Sequence, residues 1–500
     1  MNISGIFEKH RNLRANRIRA TPAMLFIDGK LCSGSGQETT LRDATTGELL
    51  LQYRSADVSN VKTAIDVADS STNKWAQLSP YDRAEMLFDA ADLLRDSIMN
   101  IAEIEALETG RQVDNAQNHI LSETIGLLEY YAEIADKEGN IIENSFSKSD
   151  TSNPVGHLEP YGVVGAIASA NGQLSHIGSK LAPALVAGNT VVYKTSRKAT
   201  LAARTAIRII DQALPDGVVN LVPGSVEATE AILREQNVRK VSQTGSIETG
   251  KEVMKVSAET VTDIQLALGG NSCGVVVPDA DLESAGQHLS LGAFNRAGQT
   301  GISISRLFVH QSVFEPFVTA LVTATERYFS PGDPLDPDTT YPPLMNDEIL
   351  RGVEQAVDAA KQVGGTIRTG GNQIIIPEFN PATFYEPTVI SGLPPSESTV
   401  RHEVFGPILQ VFPWSEYHSL TSKINSAEYG LAASVWTNDA TKAETITSDI
   451  EVGTIWINKH GDLTSQMPFG GFKQSGIGKE RGIQGLREFQ RLKVVDSELN

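Results

Sequence analysis

The run Val163-Val164-Gly165-Ala166-Ile167 decides the fold class of this chain. It carries no polar group, is rich in β-branched residues, and is too short for a helix. That combination reads as a strand buried on both faces. Comparable runs follow at Thr190-Val191-Val192-Tyr193-Lys194, at Val218-Val219-Asn220-Leu221-Val222 and near 238–242, with helical stretches at 199–213 and 226–235 between them. Repeated strand-helix units predict an α/β fold with a parallel sheet and right-handed crossovers. Such sheets bind ligands beyond the carboxyl ends of their strands. Asn171, Lys194 and Gly245 each fall at or just past a strand end, so they are expected to face one cleft.

Upstream, Leu25-Phe26-Ile27-Asp28-Gly29-Lys30 reads as a strand and turn. Helices are expected at 60–74, 81–104 and 122–137; Leu87, Ala90, Leu93 and Leu94 give the second its apolar spacing. Residues 140–160 are rich in Asn, Ser, Lys and Asp and read as a disordered linker. The β-prone run Leu492-Lys493-Val494-Val495 is a candidate partner for it. Residues 271–468 make a second α/β unit, with strands such as 274–277 and 306–310 and a helix at 313–328.

At 500 residues the chain exceeds what one hydrophobic core sustains, so two large domains are expected. A net charge of −19 argues against nucleic acid as a partner. No apolar run is long enough to span a bilayer. Residues 1–20 are basic and polar and lack the apolar segment of a secretory signal. Their arginines permit a transit-peptide reading, but Glu8 and the short length favour a surface arm. Cys32 and Cys273 supply neither a disulfide framework nor zinc spacing, which makes a reducing, cytoplasmic setting the expectation. The nine histidines form no HExxH pattern, and no metal is assigned.

Thr244-Gly245-Ser246-Ile247-Glu248-Thr249-Gly250 follows a strand and opens a helix. A glycine there lets the backbone approach a phosphate, and the helix N-terminus favours negative charge. An ordinary strand-helix turn looks the same, because the spacing is not GxGxxG.

Gly298-Gln299-Thr300-Gly301, with Arg306 five residues further on, resembles the nucleophile loop of the aldehyde dehydrogenase superfamily. In that family the loop reads Gly-Gln-x-Cys, with an Arg five residues past the Cys. Leu266-Ala267-Leu268-Gly269-Gly270 resembles the loop that carries the general-base Glu, and Glu403-Val404-Phe405-Gly406-Pro407 the nicotinamide-side motif. The long run from Pro468 through Gly476 to Glu480 is a further match. The resemblance covers about 26–495, and at its two central positions the chain departs from it: Gly301 replaces the nucleophile and Ala267 the base.

The resemblance implies a Rossmann-like dinucleotide-binding domain (1–139 and 161–269), an α/β catalytic domain (270–468) and an oligomerisation arm (140–160 and 487–500) that makes a homodimer or homotetramer. It implies that Asn171 and the backbone N–H of Gly301 form an oxyanion hole, and that Lys180 and Glu480 relay protons from the base position. It places Ile167, Lys194, Gly224, Gly245, Ser246, Glu403 and Phe405 on the cofactor. NAD-preferring members carry a Glu three residues after the Lys; here Arg197 stands there, which favours NADP over NAD unless Arg197 and Lys198 are a solvated basic pair. Ser175, His176, Thr300, Ile302, His460 and Phe469 are expected to line a roomy, polar aldehyde pocket, with His176 open to a purely structural reading. Cys273 and Cys32 read as poor substitutes for the missing thiol.

The implied parent reaction is oxidation of a polar aldehyde to a carboxylic acid through a Cys adduct. The chain as written is expected to be inactive. Replacement of a parental Cys and Glu is one explanation, favoured because the rest of the site is retained. A natural dinucleotide-binding pseudoenzyme is the other.

Overall fold

The structure is a computed structural model that describes residues 3–18, 23–135, 141–142, 154–377, 379, 384–394 and 398–496. Its first sheet runs in the order Lys30–Cys32, Leu25–Ile27, Val219–Leu221, Thr190–Lys194, Val163–Ile167, Val238–Gly245, Asp263–Leu268, Gly476–Ile477. The strands from Val219–Leu221 to Asp263–Leu268 are parallel, and their neighbours on either side are antiparallel. The chain order reverses between Val163–Ile167 and Val238–Gly245, which opens a crevice at the strand ends.

Both faces of this sheet are buried, as the uninterrupted apolar runs require. Successive residues of a strand point to opposite faces. Val164, Ala166, Val191 and Tyr193 accordingly pack in one core with Leu87 and Leu94 of helix Pro80–Asp96 and Ala206 and Ile207 of helix Leu201–Ile210. Val163, Ile167, Val192 and Val241 pack in another with Val61 and Ile65 of helix Val58–Ala76 and Val253 and Val256 of helix Ile247–Thr260. In helix Val58–Ala76, Asp57 accepts the Asn60 N–H at 2.9 Å and the Asn60 side chain accepts the Asp57 N–H at 3.2 Å. Such a cap is worth about 1 kcal/mol. Burying each of Val61, Ile65 and Trp75 is worth roughly 1.5–3 kcal/mol. Packing therefore holds the helix, and the cap sets where it starts.

The second sheet runs Thr366–Thr369, Thr388–Ser391, Ile408–Trp414, Ile304–His310, Ser272–Val276, Ala432–Trp436, Thr454–Ile457 and is parallel except for its first pair. The chain crosses from one sheet to the other between Leu268 and Ser272. A third, small sheet pairs Gln490–Val495 with Val155–Pro160, and the latter with Ile141–Ile142. The C-terminal run thus meets the expected arm; residues 140 and 143–153 of that arm lie outside the described residues.

Three local expectations change. The helix expected at 81–104 is two helices, Pro80–Asp96 and Ile98–Thr109, because Ser97 leaves the helical region at φ −106°, ψ 4°. The helix expected at 122–137 begins at Val113, passes through a π-helical turn at Ile120–Ile125 and ends at Ile134; residues 136–137 lie outside the described residues. The N-terminal segment is not a plain surface arm. It forms helix Ile3–Arg17, docked through His10, whose ring bonds Asp43 at 2.7 Å and Asp333 at 2.9 Å. Those two carboxylates outweigh the cost of burial and raise His10 from 6.5 to about 9.

Candidate active site

The dinucleotide side of the crevice is assembled at the strand ends. Lys194 closes its strand and is buried; burial, with Arg197 nearby, pushes its ammonium down to about 8. Gly224 is tied to the same loop by its N–H, which reaches the Thr195 carbonyl at 3.1 Å. Strand Val238–Gly245 runs into helix Ile247–Thr260, whose cap, Ser246, accepts the Thr249 N–H at 3.3 Å. Accepting that bond uses a lone pair and leaves the Ser246 O–H able to donate, so the turn offers an anion this hydroxyl, backbone N–H and the helix dipole. Ile167 ends the central strand, buried.

Arg197 is half-buried. Its guanidinium bonds the Gln37 side chain, and its carbonyl accepts the Tyr53 hydroxyl at 2.7 Å. Glu227 lies close by, held below the usual carboxylate range chiefly by the Ser225 hydroxyl and in part by Arg197. Gln37, Tyr53 and Glu227 escaped the sequence reading, because nothing local marks a contact across more than 140 positions or a helix's first turn.

Glu403 arrives from the second half of the chain. Its carboxyl stands over Gly269 and accepts the Gly270 N–H, and burial pushes it up to about 8. The Glu403 N–H reaches the Tyr429 hydroxyl at 3.2 Å, and Phe405 follows, half-buried.

The chemical side is built around one constrained loop. Arg296, Ala297 and Gly298 are all left-handed, at φ 55°, 53° and 70°. Only Gly298 adopts that conformation without a steric penalty, and a side chain there would also strike the Gly406 carbonyl. Gln299 pins the loop: its Nε2 donates to the Arg296 carbonyl at 3.0 Å and the Pro343 carbonyl at 3.3 Å, and its Oε1 accepts the Met345 N–H at 2.9 Å. Arg306 donates twice to the Asn271 carbonyl, at 3.1 and 2.8 Å. Asn171 Nδ2 reaches the Gln299 carbonyl at 3.2 Å, which sets its amide beside position 301.

Gly301 itself is not left-handed, and a Cβ built on it would meet nothing nearer than Leu431 Cδ2, at 3.5 Å. The backbone therefore does not require glycine here, and the space accepts a side chain. Gly270 abuts the Gly301 carbonyl, which brings the Ala267 loop against the Gly301 loop. Ala267 lies buried near the end of strand Asp263–Leu268, between Thr244 and Gly476 of the flanking strands.

Beneath Ala267 runs a buried polar line. Lys180 Nζ donates to Glu480 Oε1 at 2.6 Å and to Ser242 Oγ at 2.9 Å, and Ser242 Oγ donates to Gln265 Oε1 at 2.5 Å. Gln265 and Ala267 sit two residues apart on one strand and share a face, so the line points at position 267. Backbone bonds of 2.7 Å in each direction join Glu480 to Phe469. Ser242 and Gln265 were missed, although polar residues inside an apolar strand are a legible signal.

Of the expected pocket residues, Thr300 bonds Ser303 at 2.7 Å, and Ser175 donates to the Gly172 carbonyl at 2.8 Å. Ile302 and Phe469 pack against Leu431, Ala432 and Trp456. His460 supports the loop: its Nε2 donates to the Ile302 carbonyl at 2.8 Å, its ring packs edge-on to Trp456, and burial lowers it to about 4, keeping it neutral. His176 is buried and held well below its ordinary value by burial and by Lys180. Cys273 is fully buried in a strand, and burial pushes its thiol up, the wrong direction for a relocated nucleophile. Among the described residues no cluster of His, Cys, Asp and Glu is arranged to hold a metal, and no helix is long and apolar enough to cross a membrane.

Known proteins resemble this chain in sequence and in fold. The sequence model of the aldehyde dehydrogenase family matches residues 32–495. Betaine aldehyde dehydrogenase of Mesorhizobium japonicum is 33% identical over 96% of this chain and 98% of its own length. Aldehyde dehydrogenase 1A1 of Macaca fascicularis is 34% identical over 93% of this chain and 92% of its own. Among solved structures, betaine aldehyde dehydrogenase of Staphylococcus aureus in complex with NAD+ superposes with a TM-score of 0.93 at 29% identity, covering 98% of this chain and 97% of that one. An NAD+ complex of aldehyde dehydrogenase from Bacillus cereus does so with 0.92 at 30%, covering 98% and 99%. The fold and the relatives agree: the chain belongs to the aldehyde dehydrogenase family.

Proposed function

We propose that this chain is the scaffold of an aldehyde dehydrogenase whose parent converts a polar aldehyde, water and NAD(P)+ into a carboxylic acid and NAD(P)H, and that it is inert as written. The carrying observation is the open space above Gly301, beside an intact amide at Asn171, with no side chain to attack from it.

An aldehyde cannot release hydride until a nucleophile has added to its carbonyl. In the parent a thiolate at 301 makes that addition. The Asn171 amide and the 301 backbone N–H receive the oxyanion. The dinucleotide, when bound, takes up the hydride. A carboxylate at 267 then activates the water that cleaves the thioester, and Lys180 and Glu480 carry its proton away. Neither glycine nor alanine can take its part.

Lys194, Gly224, Gly245, Ser246 and Glu403 suit a dinucleotide, as the buried cation, the open helix N-terminus and the strand-end placement require. The relatives support NAD+; Arg197 leads us to favour NADP+. The exposed apolar groups of Leu492, Val494 and Val495 on the terminal strand support an oligomer, and the unpaired thiols of Cys32 and Cys273 suit a cytoplasmic setting.

A second reading, a dinucleotide-binding protein without chemistry, is favoured by a retained cofactor side beside positions 301 and 267 that carry no reacting group. Calorimetric titration with NAD+ and NADP+, followed by an aldehyde panel read as reduced dinucleotide, tests the proposal. Binding without turnover is expected. Rapid turnover by the unaltered chain would refute inertness. If Gly301→Cys with Ala267→Glu stays inert while still binding dinucleotide, the second reading replaces the first.

A further inference from the structure

The wall of the crevice on the far side of Asn171 is a buried basic chamber. Two π-helical turns, Ile120–Ile125 and Ile177–Leu181, come together there. The Thr124 hydroxyl donates to the Leu174 carbonyl at 2.9 Å, and Gly178 lies against the Glu123 carbonyl. Their meeting gathers Arg111, His119, His176, Arg296 and Arg481. Arg481 pairs with Glu123, and Arg111 lies 3.4 Å from Glu105. Arg296 donates to the Asn171 carbonyl at 2.9 Å and makes no ion pair among the described residues. Three guanidiniums thus share two carboxylates, with Glu105 drawing on both Arg111 and Arg296, and the guanidinium without a contact ion pair is the one that touches Asn171.

The chamber also holds polar atoms that nothing satisfies. His119 Nε2, His176 Nδ1, Ser179 Oγ, Nε and Nη1 of Arg111, and one acceptor, Glu105 Oε2, are buried without a hydrogen-bond partner. His176 is 8% and Ser179 4% exposed. Burial, with Arg111, Arg296 and Arg481 nearby, holds His119 well below its ordinary value. Each unmet donor or acceptor costs about 1–3 kcal/mol, so an array of them in one place is characteristic of a site completed by a ligand. A quaternary ammonium calls for aromatic rings around it. The helix past Asn171 offers Gly172, Ser175, His176 and Ser179 instead.

We propose that the substrate is an aldehyde bearing a carboxylate at its far end, received by Arg296 with His119 and His176 as hydrogen-bond partners. This deepens the dehydrogenase reading and rests on it. Asn171 spans the arrangement: its amide faces the reacting position and its carbonyl faces Arg296, so a short dicarboxylic semialdehyde bridges the two. Arg suits this task because its planar fork matches a carboxylate.

The test is calorimetric titration of the full chain, saturated with dinucleotide, with succinate, glutarate, inorganic phosphate and glycine betaine. A dicarboxylate is expected to bind at least tenfold more tightly than glycine betaine, and Arg296→Gln to weaken it at least tenfold while dinucleotide affinity stays unchanged. His119→Leu, which leaves the Asn171 contact in place, should weaken it about threefold and serves if Arg296→Gln does not fold. In the Gly301→Cys/Ala267→Glu background His119→Leu should raise KM for a semialdehyde more than it lowers kcat, while Arg296→Gln, which also releases the Asn171 carbonyl, should change both. Equal binding of glycine betaine, tighter binding of phosphate than of either dicarboxylate, or indifference to both substitutions overturns the proposal. Failure to bind dinucleotide would instead strike at the dehydrogenase reading itself.

Discussion

The two sides of the crevice have fared differently. On the dinucleotide side the expected groups stand in place: Lys194 at its strand end, Ser246 capping its helix, Glu403 over Gly269. On the chemical side Gln299, Arg306 and Asn171 make their contacts, while Gly301 and Ala267 carry no group that could react. The contrast teaches that the supports act on backbone. Gln299, Arg306 and His460 each hold a carbonyl or an N–H of the loops around position 301, and none grips a side chain at 301. The contacts that hold this loop are therefore independent of which side chain stands at 301.

Four experiments sharpen or break this comparison. The largest effect belongs to Gly301→Cys with Ala267→Glu: aldehyde-dependent reduction of dinucleotide should rise by roughly 1,000-fold or more, and a further Asn171→Ala should remove about 100-fold of kcat. If the double variant binds dinucleotide and stays silent, the chemical side has lost more than two side chains.

Next is the Lys180–Glu480 pair. Breaking it with Lys180→Met strands a buried carboxylate and should cost about 3–5 kcal/mol in denaturant unfolding. A loss under 1 kcal/mol would show that the line beneath Ala267 is not structural.

Third, His10 joins Asp43 to Asp333 at a distance from both sides. Its pKa is raised on folding, so its contribution is fully present below about 6.5 and is lost as pH rises through about 9. Wild type should lose roughly 3 kcal/mol relative to His10→Ala across that window. A parallel pH dependence in the two proteins would remove the clamp from the account.

The smallest effect is Arg197→Glu, which should move the ratio of NADP+ to NAD+ affinity about tenfold toward NAD+, near 1.4 kcal/mol. An unchanged ratio would show that Gln37 and Glu227 have already occupied the guanidinium.

The legible part of the fold was the part written locally. Runs such as Val163–Ile167 announce a doubly buried strand, and the match around Gly298 to Gly301 located the altered loop. What stayed hidden depends on distant partners. Ser97 breaks a helix whose apolar spacing continues past it. His460 looked like a pocket lining, yet it holds the Ile302 carbonyl across more than 150 positions. Residues 1–20 read as a surface arm because the partners of His10, Asp43 and Asp333, are invisible from its own neighbourhood. The chamber of Arg111, His119 and Arg296 needed three separate segments to meet, and no single motif contains it.

Strand Gly476–Ile477 completes the first sheet, which begins with Leu25, and Glu480 follows close behind it. Synthesis must therefore pass Glu480, 300 positions beyond Lys180, before Lys180 meets its partner. The N-terminal lobe cannot mature during synthesis in the order it is translated, and until then its outermost parallel strand, Asp263–Leu268, presents an unpaired edge to the cell's chaperones.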